Sequence, residues 1–315
     1  MKIAVVGATG IVGETLLRVL AERELPIEEV GAFASEARRE GVIFAGRSLD
    51  VRVASDEALR EYDVVFFASS DEISARYIPP LLERRTVVID NSSAFRMATG
   101  VPLIVPEVNP ASFTPADRLF PVGNCTAIIL SVALGPVVTA AGLTRVRVAT
   151  YQAVSGAGRV ALEEFDGGQG PIVGNVVPQI GGFHDDGSTG EERKVCDETR
   201  KILGLPQLSL AALTVRVPVR RAHSEAVFFE TERETDVEDL AEAFERARGI
   251  VYHSHGIVTP RDVEDTDFVH VARLRSEDST RCQMWVVGDQ LRKGAATNGV
   301  QILELLIAGG LCVPA

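Results

Sequence analysis

The chain has 315 residues, more than one hydrophobic core fills, so its length implies two domains. Its 46% hydrophobic and 24% charged content excludes a disordered chain, and no segment approaches the ~20 uninterrupted apolar residues of a membrane span. A net charge of -12 excludes nucleic acid and anionic membrane surfaces as partners, because both repel it, and an anionic ligand then needs a locally cationic pocket.

The N-terminal run Ile3-Ala4-Val5-Val6 meets glycine too soon for a signal-peptide core and reads as a buried strand of a cytoplasmic protein. Apolar runs at 3–6, 30–34, 64–68, 87–90 and 103–105 read as strands, and 12–20 and 73–82 as helices, the signature of an α/β domain with a parallel sheet. Near Phe120 the texture changes to Pro-Val-Gly-Asn-Cys, and the domain junction is expected there. An apolar helix follows over 126–141, which Pro136 should kink or divide. Next come a strand at 145–154, a Gly- and Pro-rich loop at 167–187 and a helix at 191–203. Strands at 210–217 and 225–231, a helix at 236–249, a strand at 283–287 and a helix at 298–308 complete the chain.

Gly7-Ala8-Thr9-Gly10-Ile11-Val12-Gly13 sets three glycines between the first strand and the first helix. Such a turn lets backbone approach a pyrophosphate, whose charge the free amides and dipole of the helix N-terminus stabilise. The spacing is GxxGxxG, a variant of the dinucleotide fingerprint. NAD-specific sites end the second strand in Asp or Glu, whereas this strand ends at Ser35 with Arg38 and Arg39 nearby. A hydroxyl beside guanidiniums suits a 2′-phosphate and favours NADP over NAD, although Glu36 and Glu40 weigh against it.

The four cysteines, at 125, 196, 282 and 312, form no CxxC pair, so neither a disulfide framework nor a metal site is expected. Cys125 directly precedes the apolar helix, where the helix N-terminus favours a thiolate. Its position alone leaves two readings open, a nucleophile or a small buried hydrophobe. The other three are assigned to packing.

Asn91-Ser92-Ser93-Ala94-Phe95-Arg96-Met97, Pro106-Glu107-Val108-Asn109, Asn124-Cys125-Thr126 and the run Thr150 to Gly158 share one further property with Arg216-Val217-Pro218, His223-Ser224-Glu225-Ala226 and the run Arg292 to Asn298. All resemble signature segments of the aspartate-β-semialdehyde dehydrogenase family, in family order. The resemblance implies a Rossmann-type parallel-sheet dinucleotide-binding domain over 1–122, with the C-terminal segment 294–315 packing back on it. An α+β catalytic and dimerisation domain would span 123–293. It makes Cys125 the nucleophile, His223 the general acid/base, and Gln152, with Asn124, the residues that orient the substrate at the sulfur. Arg216 would bind the substrate carboxylate, Glu191 its ammonium, and Lys194 and Arg96 the phosphate. Ser155, Gly156 and Asn298 would join the glycine turn in holding NADP.

The implied reaction is reversible reduction of β-aspartyl phosphate to aspartate semialdehyde and phosphate through a Cys125 thioester, a step toward lysine, threonine and methionine. N-acetyl-γ-glutamyl-phosphate reductase is the enzymatic alternative, and its acetylated substrate offers no ammonium to Glu191. A non-catalytic paralogue acting as a binding subunit is the other, although such chains commonly lose the nucleophile or base. The resemblance also implies a homodimer, with a tetramer as its doubled form.

Overall fold

The computed structural model describes residues 1–35, 38–84 and 86–310, except the side chains of 38–40. Cys312 and the side chain of Arg38 therefore lie outside the described residues. In chain order the elements are β1 (Lys2–Val6), α1 (Ile11–Glu22), β2 (Glu29–Ala34), β3 (Arg38–Phe44), β4 (Arg47–Val53), α2 (Asp56–Leu59), β5 (Val64–Phe67), α3 (Asp71–Leu82), β6 (Val87–Asp90) and β7 (Leu119–Pro121). There follow α4 (Cys125–Ala141), β8 (Arg145–Gln152), α5 (Arg159–Asp166), α6 (Gly190–Leu203), β9 (Ser209–Arg216) and β10 (His223–Glu230). The chain continues through α7 (Val237–Arg246), β11 (Ile250–His253), α8 (Pro260–Val263), β12 (Val269–Ser276), β13 (Arg281–Gly288) and α9 (Thr297–Ala308). Two compact units emerge, Met1–Gly123 with Ala295–Ala315, and Asn124–Gly294. Among the described residues no helix is long and apolar enough to cross a membrane.

The first unit is a seven-stranded sheet in the order β3-β4-β2-β1-β5-β6-β7. It is parallel except for the β3–β4 pair. Ile3 to Val6 and Val64 to Phe67 are buried on both faces, which is why these central strands read as unbroken apolar runs. The hairpin β3–β4 escapes sequence reading because its turn is Ala45-Gly46, both at positive φ, and not the Asn-Gly or Asp-Gly that advertises such a turn. The strand expected at 103–105 does not form. Its backbone bonds go to side-chain amides: Asn109 Oδ1 accepts from Val105 N–H at 2.8 Å, and Asn109 Nδ2 and Asn298 Nδ2 donate to the Leu103 and Ile104 carbonyls. The seventh strand is β7 instead, paired with β6.

The second unit is a six-stranded sheet in the order β11-β12-β13-β10-β8-β9. Its two outer pairs are parallel and the others antiparallel. On β10, His223, Glu225, Val227 and Phe229 are buried, whereas Ala226 and Phe228 on the opposite face are not, the period-2 alternation of a sheet with one covered face. The covering helix α4 runs unbroken through Pro136, so the expected division does not occur. Each of its first nine residues after Cys125 is buried, so packing on all sides holds the helix together despite one missing amide donor. Helix α6 starts with a full capping box between Thr189 and Glu192 and ends at Gly204 in the left-handed conformation. The loop 167–187 lacks regular elements but is pinned to the sheet edge, where Val177 and Arg216 exchange both backbone hydrogen bonds at 2.9 and 2.8 Å.

Candidate active site

Strand register places three polar side chains in one row on the covered face. Arg216 of β9 pairs with Gln152 of β8, and one step beyond the Ser224–Tyr151 pair His223 of β10 lies opposite Gln152. His223 is in turn opposite Gly288 of β13. The row behind it is Thr214, Thr150, Glu225 and Val286.

β8 stops at Gln152 because the Ala153 peptide turns away to serve both neighbours. Its N–H donates to His223 Nδ1 at 3.1 Å, and its carbonyl accepts from Arg216 Nη1 at 2.6 Å. A backbone amide can only donate, so Nδ1 of His223 carries a lone pair and the neutral ring bears its proton on Nε2. Nε2 is buried without a protein partner. Burial, with the Arg216 charge beside it, pushes the His223 pKa down to about 3, so the imidazole is neutral at physiological pH. The ring at rest is thus a hydrogen-bond donor, the donating half of the acid/base role expected for it. Gly156 allows this closeness: a Cβ there would lie 2.9 Å from Arg216 Nη1 and 3.1 Å from His223 Cε1.

Asn124 caps α4, its Oδ1 accepting from the amides of Thr126 and Ala127. Cys125 is therefore the first residue of the helix, where the dipole is most positive. Asn124 Nδ2 donates to Glu191 Oε1 at 2.9 Å, and Gln152 Nε2 donates to the same oxygen at 3.1 Å. Burial lowers the Arg216 pKa, and the charges of Cys125 and Glu191 act against that shift, so both lie within electrostatic reach of the guanidinium. Asn124, Cys125, Gln152, Gly156, Glu191, Arg216 and His223 thus form one constellation inside the second unit.

Lys194 lies on the exposed side of α6. Arg96 belongs to the first unit, where Nη2 donates to the Asn91 carbonyl at 2.7 Å. Asn298, also in the first unit, is fully buried and holds the Ile104 carbonyl. Ser155 lies in the short turn Val154–Ala157, its Oγ accepting from Gln290.

The glycine turn has the form a dinucleotide needs. Gly7 has φ +83°, and a Cβ there would lie 2.3 Å from the Ala68 carbonyl oxygen. A Cβ on Gly13 would lie 2.2 Å from the Gly7 oxygen. Gly10 caps α1 without a side-chain bond, which leaves the first-turn amides available to an anion. The Ala68-Ser69 backbone, at the carboxyl end of β5, abuts Gly7, and Ser69 Oγ is buried without a protein partner.

The profile described as "Semialdehyde dehydrogenase, NAD binding domain" matches residues 2–116, and that described as "Semialdehyde dehydrogenase, dimerisation domain" matches residues 134–293. Aspartate-semialdehyde dehydrogenase of Aquifex aeolicus is 40% identical over 98% of this chain and 99% of its own. The chain belongs to the aspartate-semialdehyde dehydrogenase family. Aspartate-semialdehyde dehydrogenase 2 of Vibrio cholerae is 39% identical over 97% of each chain. The solved structure of V. cholerae aspartate semialdehyde dehydrogenase II complexed with ASA superposes with a TM-score of 0.91 at 38% identity over 98% of each chain. The fold is thus the family's Rossmann-type domain joined to its dimerisation domain.

Three residues of this family member escaped sequence reasoning. Ala153 acts through its peptide, which no side-chain pattern reveals. Ser69 could have been found from its place just past a parallel strand's carboxyl end, where such folds bind ligands. Glu225, two residues after His223 on the same strand face, is fully buried with neither oxygen hydrogen-bonded to protein. Desolvation raises its pKa well above the usual 4.5, so it is held neutral. The unfolded chain ionises above pH 4.5 while the native carboxyl stays protonated, so Glu225 lowers stability as pH rises. Glu225→Gln should therefore gain stability over the parent, by at most about 1.4 kcal/mol per pH unit between 4.5 and the raised native pKa. Urea unfolding at pH 5 and pH 8 tests this, and a pH-independent difference would rule it out.

Proposed function

We propose that the protein is an NADP-dependent aspartate-semialdehyde dehydrogenase that reduces β-aspartyl phosphate to aspartate semialdehyde, its first unit binding the dinucleotide and its second carrying the chemistry. The observation that carries this reading is the neutral His223, its proton fixed on Nε2, in one sheet row with Gln152 and Arg216, with Cys125 within electrostatic reach of that guanidinium.

Cys125 Sγ, with the α4 N-terminus and Arg216 supplying positive charge, attacks the acyl carbon. A C–S bond forms as the C–O bond to phosphate breaks, and phosphate leaves with the electron pair. When bound, NADPH supplies the hydride that reduces the thioester carbon. His223 Nε2–H donates to the resulting oxyanion. The C–S bond then breaks, sulfur leaves as thiolate, and the carbonyl re-forms as the semialdehyde. Arg216 holds the substrate carboxylate through its planar fork. Glu191, shared between Asn124 and Gln152, sets its charge toward the ammonium. Arg96 and Lys194 are assigned to the phosphate.

The turn from Gly7 to Gly13, with Ser35, Arg38, Ser155, Gly156 and Asn298, is assigned to NADP. Gly13→Ala places a Cβ against the Gly7 oxygen and should weaken NADPH binding at least roughly tenfold. Fluorescence titration of NADPH reports it, and an unchanged Kd would remove the turn from the cofactor site. The chain is expected in the cytoplasm as a homodimer or its doubled tetramer. The outer face of the second sheet supports this: Tyr151, Leu213 and Phe228 are 37, 55 and 46% exposed, an apolar surface on one face.

The deciding experiment follows reduction of NADP and of NAD with aspartate semialdehyde and phosphate, beside the N-acetylglutamyl semialdehyde. Turnover of the acetylated aldehyde in preference would overturn the substrate, and a higher kcat/KM with NAD would overturn the cofactor.

A further inference from the structure

We infer that Gln290, with Asp289 beside it, is a positioning residue that aims the His223 imidazole. The inference rests on the donor role of His223 proposed above. β10 begins at His223, and the residue before it, Ala222, has φ +66° and is fully buried. An L residue with a Cβ avoids that region, and no glycine relieves it here, so surrounding structure must hold it.

The hold comes from the segment just after β13, whose last residue, Gly288, pairs with His223. Gln290 Oε1 accepts from Ala222 N–H at 2.8 Å. Its Nε2 donates to Ser155 Oγ at 2.5 Å. Ser155 precedes Gly156, the glycine packed between the His223 ring and Arg216. One buried carboxamide therefore ties the backbone entering His223 to the turn facing its ring. Asp289, fully buried, adds a second grip one residue upstream: its Oδ2 lies 2.8 Å from Arg221 Nη2 and accepts from Asp265 N–H. The strand pair ends at His223 and Gly288, and beyond it Gln290 holds the Ala222 backbone while Asp289 reaches the Arg221 side chain.

This grip sets where Nε2 points. The Ala153 amide fixes which nitrogen carries the proton, but the backbone at Ala222 and His223 fixes the root of the ring. A glutamine suits the task because one side chain supplies both an acceptor and a donor. Methionine keeps its length and loses both. Glutamate keeps the acceptor for Ala222 and can accept from the Ser155 hydroxyl.

The test compares Gln290→Met, Gln290→Glu, Ala222→Gly and His223→Asn in full-length enzyme with NADP and aspartate semialdehyde. Gln290→Met should lower kcat roughly tenfold to hundredfold with KM for the semialdehyde unchanged, and Gln290→Glu should recover most of that loss. Ala222→Gly relieves the backbone conformation, so Gln290→Met in that background should keep its melting temperature while kcat falls, which keeps the test open if Gln290→Met alone does not fold. Parental kcat in Gln290→Met, alone or with Ala222→Gly, would overturn the inference. So would a raised KM for NADP with unchanged kcat, which makes Gln290 a cofactor contact. Equal losses in the Met and Glu variants would reduce it to packing. Collapse of His223→Asn beside a normal Gln290→Met would sink this inference alone, whereas full activity in His223→Asn would sink the donor role beneath it.

Discussion

Cys125→Ser should lower kcat for the semialdehyde at least about 10⁴-fold while leaving NADPH binding intact. The substitution is nearly isosteric, so Asn124 keeps its cap on the Thr126 and Ala127 amides and Gln152 keeps its bond to Glu191. What changes is the nucleophile: a hydroxyl at the first residue of α4 stays protonated where a thiol can ionise. Arg216 and the helix terminus have no anion to stabilise, and no thioester forms. Mass spectrometry under single turnover, with a hydroxylamine-sensitive acyl adduct expected on the parent only, provides the check. Retained turnover by the serine variant would take Cys125 out of the reaction.

His223→Asn should lower kcat roughly 10² to 10⁴-fold and also change how stability responds to acid. The native imidazole stays neutral down to about pH 3, whereas in the unfolded chain it takes a proton near its ordinary 6.5. Its contribution is complete above pH 6.5 and is lost as pH falls from 6.5 toward 3. The whole effect is at most roughly 5 kcal/mol, or about 1.4 kcal/mol per pH unit. Asparagine does not titrate, so the variant should be less acid-sensitive than the parent by that slope. Urea midpoints at pH 7.5, 6 and 5 decide it, and parallel curves would mean that His223 is protonated in the native state. The same burial predicts no acid limb near pH 6.5 in the parent's activity profile.

Much of this is written in local pattern. The central strands of the first unit are continuous apolar runs because both faces are covered, and α6 carries its capping box in plain sequence, Thr189 to Glu192. The charged groups proposed for the site lie in short motifs, each beside a strand end or a helix start. What stayed hidden depends on long-range pairing. The β3–β4 hairpin turns on an alanine at positive φ, and 103–105 fails as a strand because Asn109 and Asn298 take its backbone bonds. Strand β12 bulges after Ala272, with Arg273 at positive φ, and so lacks a clean alternation. The burial of Glu225 likewise depends on the fold around β10 and not on its own segment.

Strand β8 reads two ways along its length: Val148, Thr150 and Gln152 point toward the chemistry, while Arg147, Ala149 and Tyr151 point outward. Adding or deleting one residue within 146–152 would exchange these sets, sending the amide that serves Glu191 outside and a tyrosine ring into the row beside His223. Length changes are therefore forbidden in these seven positions, while the irregular run 167–187 absorbs them, and a library of single-codon indels scanned for growth would show the boundary as a sharp edge.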